Sequence, residues 1–220
     1  VSPASLTDNA DGSLSFAFGN DSYTYRHISN SKIAPFSNAV KLEFTAINDD
    51  DGVQTQDLPI SLQPSGEPIR FGRFSITNAH GSELIPLPVQ IQTEYFNGAN
   101  WQSNSADQCT TLNLASHLQL ANTDTSAGSW QSGTTTMTVN NGSSTASLSA
   151  LNSGQATLPF SAPGEDNQSY IDIRSQLSAN YDWLLGDYDN DGGYDDEATA
   201  RASFGLFKGS DNIIFRREVY

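Results

Sequence analysis

The dominant periodicity along the chain is two. Leu14, Phe16 and Phe18 alternate with Ser15 and Ala17, and Val40, Leu42, Phe44 and Ala46 alternate with Lys41, Glu43 and Thr45. Ile85, Leu87, Val89 and Ile91 carry the alternation on to Thr93 and Tyr95, while Leu112, Leu114, Leu118 and Leu120 share one parity. Alternation of this kind places one face of a strand in a core and the other in water. Shorter strand candidates fall at 23–25, 71–76, 134–139, 156–160, 170–173, 203–207 and 212–216. Asn97-Gly98, between Tyr95-Phe96 and Trp101, reads as a two-residue hairpin turn, and Lys208-Gly209-Ser210-Asp211 as a longer loop closing the last two strands. Helical periodicity is nearly absent: residues 173–185 could hold one short helix and 197–202 a single turn. Many short strands with regular turn signals predict an all-β fold, an antiparallel β-sandwich of immunoglobulin-like or jelly-roll-like type.

The run Gln63-Pro64-Ser65-Gly66-Glu67-Pro68 is the best internal boundary. It divides a small β-sandwich part, 1–66, from a main C-terminal sandwich, 67–220. A chain of 220 residues buries about 70 % of its surface and needs no disulfide staples. Its single thiol, Cys109, is expected as a small buried hydrophobe.

Charge narrows the function classes. Asp and Glu number 25 against 10 Lys and Arg, a net charge of −15 that repels phosphate backbones and anionic lipid. Nucleic-acid binding is therefore excluded as a working reading. Membrane insertion is too, since the longest apolar stretch, 84–89, is broken by Pro86 and Pro88 and is far shorter than the roughly 20 residues of a spanning helix. Aromatic content (8 Tyr, 11 Phe, 3 Trp) argues against an unfolded acidic chain. No signal, lipidation motif or prepilin-like stem is visible, so the chain reads as a mature protein or a piece of a longer one. Ser, Thr and Asn together make 64 of the 220 residues, which suits an exported surface protein.

The sharpest chemical feature is GDYDNDGGYDDE at 186–197. Asp187, Asp189 and Asp191 occupy alternate positions, Gly192 follows where a sharp turn is needed, and Asp195 falls at the ninth place. Carboxylates packed this closely repel unless a cation or solvent intervenes. Hard Ca²⁺ takes six to eight oxygens, and this spacing offers them, with the Gly193 carbonyl as a further ligand. The run resembles EF-hand loops and the DxDxDG loops of dockerins and thrombospondin type 3 repeats. Its twelfth position is Ala198, so Asp196 or Glu197 must stand in for the usual bidentate acid. The candidate set for a structural calcium is therefore Asp187, Asp189, Asp191, Gly193, Asp195, Asp196 and Glu197, and none of these is read as catalytic. A second acidic run, Asp49-Asp50-Asp51-Gly52, lacks alternation and reads as a plain turn.

Signals for an enzyme are weak. His27, His80 and His117 lie on separate segments without metal-ligand spacing, and no nucleophile-elbow, P-loop or dinucleotide motif occurs. Trp101, Trp130 and Trp183 could form a sugar-stacking platform, but core positions on strands account for them more simply.

Three stretches carry a resemblance: FGNDSYTYRHISNSKIAPF at 18–36, IRFGRFSITNAHGSELIPLPVQIQTEYFNGANWQSNSADQCTTL at 69–112, and YDNDGGYDDEATARASFGLFKGSDNIIFRREVY at 188–220. They are similar to the C-terminal region of the MshQ proteins, encoded with the mannose-sensitive haemagglutinin (MSHA) type IV pilus of aquatic gammaproteobacteria. The resemblance implies an extracellular or pilus-associated module, exported through the periplasm of a Gram-negative cell, with a structural or adhesive role. Its implied partners are other parts of the same long chain, pilus subunits or surface glycans. It supplies no catalytic residues. The alternatives carried forward are a lectin-like carbohydrate-binding module and, behind it, a polysaccharide-active enzyme.

Overall fold

The computed structural model describes residues 5–11, 14–17, 26–28, 30–37, 41–45, 57–63, 68–122 and 130–205. In chain order the strands are β1 (Ser5–Asp8), β2 (Leu14–Ala17), β3 (Leu42–Phe44), β4 (Ile60–Leu62), β5 (Gly72–Ile76), β6 (Ala79–Gly81), β7 (Leu87–Phe96) and β8 (Trp101–Ser103). One helical turn, α1 (Leu114–His117), precedes β9 (Leu118–Ala121), β10 (Gln131–Ser132), β11 (Thr136–Val139), β12 (Gly142–Thr145), β13 (Gln155–Phe160) and β14 (Ser169–Ser175). A 3-10 turn, Asp182–Leu184, leads on to β15 (Thr199–Phe204). Within the first 66 residues, β1 pairs with β2 and β3 with β4 as separate antiparallel ladders.

Two larger sheets carry the fold. One has the order β13-β7-β5, with β8 also paired to β7; the other runs β10-β9-β14-β15-β6, antiparallel except between β15 and β6. Their inner faces meet in one core. Phe74, Val89, Ile91, Leu158 and Phe160 from the first sheet pack with Leu118, Leu120, Ile171, Ile173 and Phe204 from the second, each at most 1 % exposed. The hairpin β11-β12 adds Met137 and Val139 to the same core. The all-β sandwich read from the alternation is the architecture found.

Local chemistry displaced several expected elements. The Leu112–Leu120 parity is broken by α1: the Asn113 side chain accepts the Ala115 N–H at 2.8 Å, and the Asn113 N–H donates to His117 Nδ1 at 2.9 Å. These side-chain bonds close a helical turn where alternation alone predicts extended chain. Residues 173–185 hold the end of β14 and the 3-10 turn rather than a helix, and 197–202 run into β15. The Asn97-Gly98 hairpin is real but has four loop residues, because Phe96 pairs with Trp101 and Asn97 Oδ1 accepts the N–H groups of Ala99 and Asn100. Only Gly98 there takes a positive φ, +104°. Cys109 is exposed, its N–H bonded to Asp107 Oδ1 at 3.2 Å, contrary to the buried-thiol reading. Strand 23–25, the 64–67 part of the boundary, the Asp49–Gly52 turn and the closing hairpin beyond residue 205 lie outside the described residues.

Candidate metal centre

The acidic loop begins where β14 has ended. After Ser175 the chain buries Leu177, and the 3-10 turn lays Leu184 against β5, so close that a Cβ at Gly72 would meet Leu184 Cδ2 at 3.0 Å. Gly186 and Asp196 then pair across an isolated antiparallel bridge, with N–H to O distances of 3.0 and 2.9 Å. That bridge draws residues 187–195 into a closed loop.

Two tyrosines dock the loop. The Tyr188 hydroxyl donates to the carbonyl of Phe74 on β5, the edge strand of its sheet. Its ring lies over Gly186, where an added Cβ would stand 2.4 Å from Tyr188 Cε2. Although the residue is 37 % exposed, burial of the hydroxyl end pushes its pKa up to about 12, and nearby Arg73 only partly opposes this. Tyr194, 8 % exposed, enters a cluster with Phe71 and Trp101 on the outer face of the same sheet. Arg73 stacks its guanidinium 4.2 Å from the Trp101 centroid and pairs with Glu94 at 2.6 Å, closing the floor of that cluster.

Between these anchors the carboxylates of Asp187, Asp189 and Asp196 converge, with an oxygen from each lying within 4.8 Å of the others. Asp196 Oδ2 accepts the N–H groups of Tyr188 (2.9 Å) and Asp189 (3.1 Å), which fixes its orientation. Asp187 Oδ1 is buried and, among the described residues, has no hydrogen-bond partner. A buried carboxylate oxygen without a donor is costly, and a bound cation is the usual remedy. Asp189 accepts the Asp191 N–H at 3.0 Å, which by itself lowers its pKa. Desolvation and repulsion from Asp191, Asp196 and Asp187 outweigh that bond, so the net shift is upward.

The remaining expected ligands are placed differently. Asp191 Oδ1 accepts the Gly193 N–H at 2.6 Å, and an Asp195 oxygen approaches the same glycine, where a Cβ would sit 2.9 Å from both carboxylates. A side chain at Gly193 would therefore require both acids to shift. Gly192, with open space beside it, is required for its φ of +91°. Glu197 turns away from the cluster. Its carboxylate accepts the Ser175 hydroxyl and the N–H groups of Leu177 (2.7 Å) and Ser178 (3.0 Å), so it caps the turn after β14. Of the two acids proposed to complete the shell, Asp196 faces the cluster and Glu197 does not.

The other candidates also find places. None of the three tryptophans is fully buried: Trp183 is 47 % exposed and Trp101 and Trp130 are half-buried. His117 is buried beside Tyr181, and His27 stacks on Phe71 at 4.2 Å, with burial holding its imidazole below the usual pKa against the pull of Asp182. No histidine joins the acidic cluster.

Residues 70–219 match the family model described as DUF6701, fourth domain. No curated protein and no solved structure matches the chain.

Proposed function

The chain belongs to the DUF6701 family, and on that footing we propose that it is a non-enzymatic, calcium-stabilised β-sandwich module with a structural or adhesive role outside the cell. The observation that carries the metal part is that Asp187, whose carboxylate converges with two others, has a buried oxygen without a hydrogen-bond partner among the described residues. Asp187, Asp189 and Asp196 would hold the ion, with backbone carbonyls or water completing the six to eight oxygens that calcium takes. The ion would relieve the repulsion that raises the Asp189 pKa and lock the loop between its tyrosine anchors. Extracellular calcium modules bind at about 10⁻⁴–10⁻³ M, which is sufficient outside a cell.

The pilus association rests on the resemblance to the C-terminal region of MshQ, and the description of the matched family as a fourth domain supports partners on the same chain. Calorimetry with calcium and with EDTA tests the metal reading. At calcium 100 times the dissociation constant, stability should rise by about 2.7 kcal/mol, and Asp189→Ala should abolish the rise while keeping the strand content. A melting temperature indifferent to both reagents overturns it.

A further inference from the structure

The face of the sandwich opposite the acidic loop holds a second arrangement. On the outer side of β14 and β15, Tyr170, Asp172 and Arg174 stand in register with Ser203, Arg201 and Thr199. Arg201 donates Nε and Nη2 to the two oxygens of Asp172 at 2.6 and 2.9 Å, and its guanidinium lies 3.8 Å from the Tyr170 centroid. Arg174 lies 4.8 Å from the Trp130 centroid and is oriented by Gln119, through Nε at 3.0 Å. Among the described residues no carboxylate pairs with Arg174. Asn78, Trp130, Asp172, Thr199 and Arg201 line a cleft of about 330 Å³. A larger hollow of about 400 Å³ along Gln90 and Gln155 holds no charge and no ring.

Arg174 stands beside this cleft, over the ring of the lining Trp130, so that among the described residues two guanidiniums meet one carboxylate here, on a chain of net charge −15. Each arginine lies against a ring and gives Nε and Nη2 to a planar partner, Gln119 or Asp172, and among the described residues its Nη1 end has no partner and is left as an open fork. Such forks suit a carboxylate or adjacent hydroxyls, and a ring edge suits the C–H face of a pyranose. The acidity of the whole chain disfavours a polyanion, so the ligand that fits carries one isolated negative charge. We propose that this cleft binds a single carboxylated sugar unit of a surface glycan, with Arg174 taking the carboxylate, the Arg201–Asp172 pair the hydroxyls and Trp130 the ring. This deepens the adhesive reading given above and does not involve the calcium loop.

The test titrates the whole protein, followed by amide NMR shifts and tryptophan fluorescence, with matched pairs: methyl glucuronide against methyl glucoside, methyl galacturonide against methyl galactoside, and sialyllactose against lactose. A ligand of this size binds at about 1 mM or tighter. At least one acidic member should outbind its neutral twin about tenfold, and the shifts should map to Trp130, Arg174 and Arg201. Arg174→Gln should reduce the acid-to-neutral ratio to about one, Arg174→Lys should restore part of it, and Trp130→Ala should weaken both members about tenfold. Melting temperature and calcium response, unchanged in these variants, separate loss of the cleft from loss of the fold or of the metal. The proposal is overturned if no acidic sugar shifts the protein at 10-fold above that concentration, about 10 mM. Acetate or a glutamate peptide that competes as well as the sugar overturns it too, as does binding that survives Trp130→Ala with Arg174→Gln.

Discussion

Tyr194 stands edge-on to Phe71, with ring centroids 5.1 Å apart and an interplanar angle of 85°. The most acidic segment of the chain is thus fastened to the sandwich by a buried aromatic contact, and its conformation does not rest on a metal alone. Tyr194→Ala should cost about 3 kcal/mol, the usual scale for removing a buried ring. The loss should appear in denaturant unfolding with EDTA present, and calcium affinity should weaken in the same variant. An unchanged midpoint would mean that the loop is not anchored there.

Glu197 and Asp196 are neighbours with separable tasks. Glu197→Ala leaves the Ser175 hydroxyl and two N–H groups without their acceptor and should lower stability by about 2–3 kcal/mol whether or not calcium is present. Asp196→Asn keeps an oxygen for the Tyr188 and Asp189 N–H groups, so it should leave metal-free stability nearly intact and remove the calcium response. Thermal melts of both variants with and without calcium decide this, and a reversal of the two results would assign the roles wrongly.

Repulsion within the cluster has a pH signature. Asp189 has a folded-state pKa above its unfolded value, so between the two the folded chain binds more protons. Its contribution to stability therefore falls as pH rises through that window, from the ordinary carboxylate value near 3.8 upward. Without calcium, Asp189→Asn should be more stable than the parent at pH 7, and the gain should vanish as the pH drops through the window. Saturating calcium should reverse the order at pH 7. Melting curves across pH, in EDTA and in calcium, check both signs.

Tyr188 gives an alkaline counterpart. Its hydroxyl is held neutral on the Phe74 carbonyl, with ionisation pushed up to about 12 from 10.0. Stability linked to it is fully present below pH 10 and is lost as pH rises from there toward 12. Ultraviolet difference titration should show one tyrosine ionising late, and Tyr188→Phe should remove that step.

Much of the sandwich was legible as parity. Val89, Ile91, Leu158, Phe160, Ile171 and Ile173 all lie on the core side that alternation assigns them. Parity failed between Leu112 and Leu118 because Asn113 and His117 offered the backbone local partners, a competition that hydrophobic spacing does not register. In the acidic loop, the alternate acids and Gly192 were readable, since turn geometry and carboxylate spacing are local properties. The role of Glu197 was not, because its partners at Ser175, Leu177 and Ser178 lie about 20 residues earlier and meet it only once β14 and β15 have paired. The cleft beside Arg174 was equally hidden: Trp130, Arg174 and Arg201 are scattered in sequence and are brought together by the pairing of β10, β9, β14 and β15.

The Gly186–Asp196 bridge holds the two ends of the loop together as a ladder pair, independently of what lies between them. A segment closed at its base in this way is a cassette. It can grow, shrink or exchange its acids at an entropic penalty that rises only slowly with length, while the strands on either side keep their register.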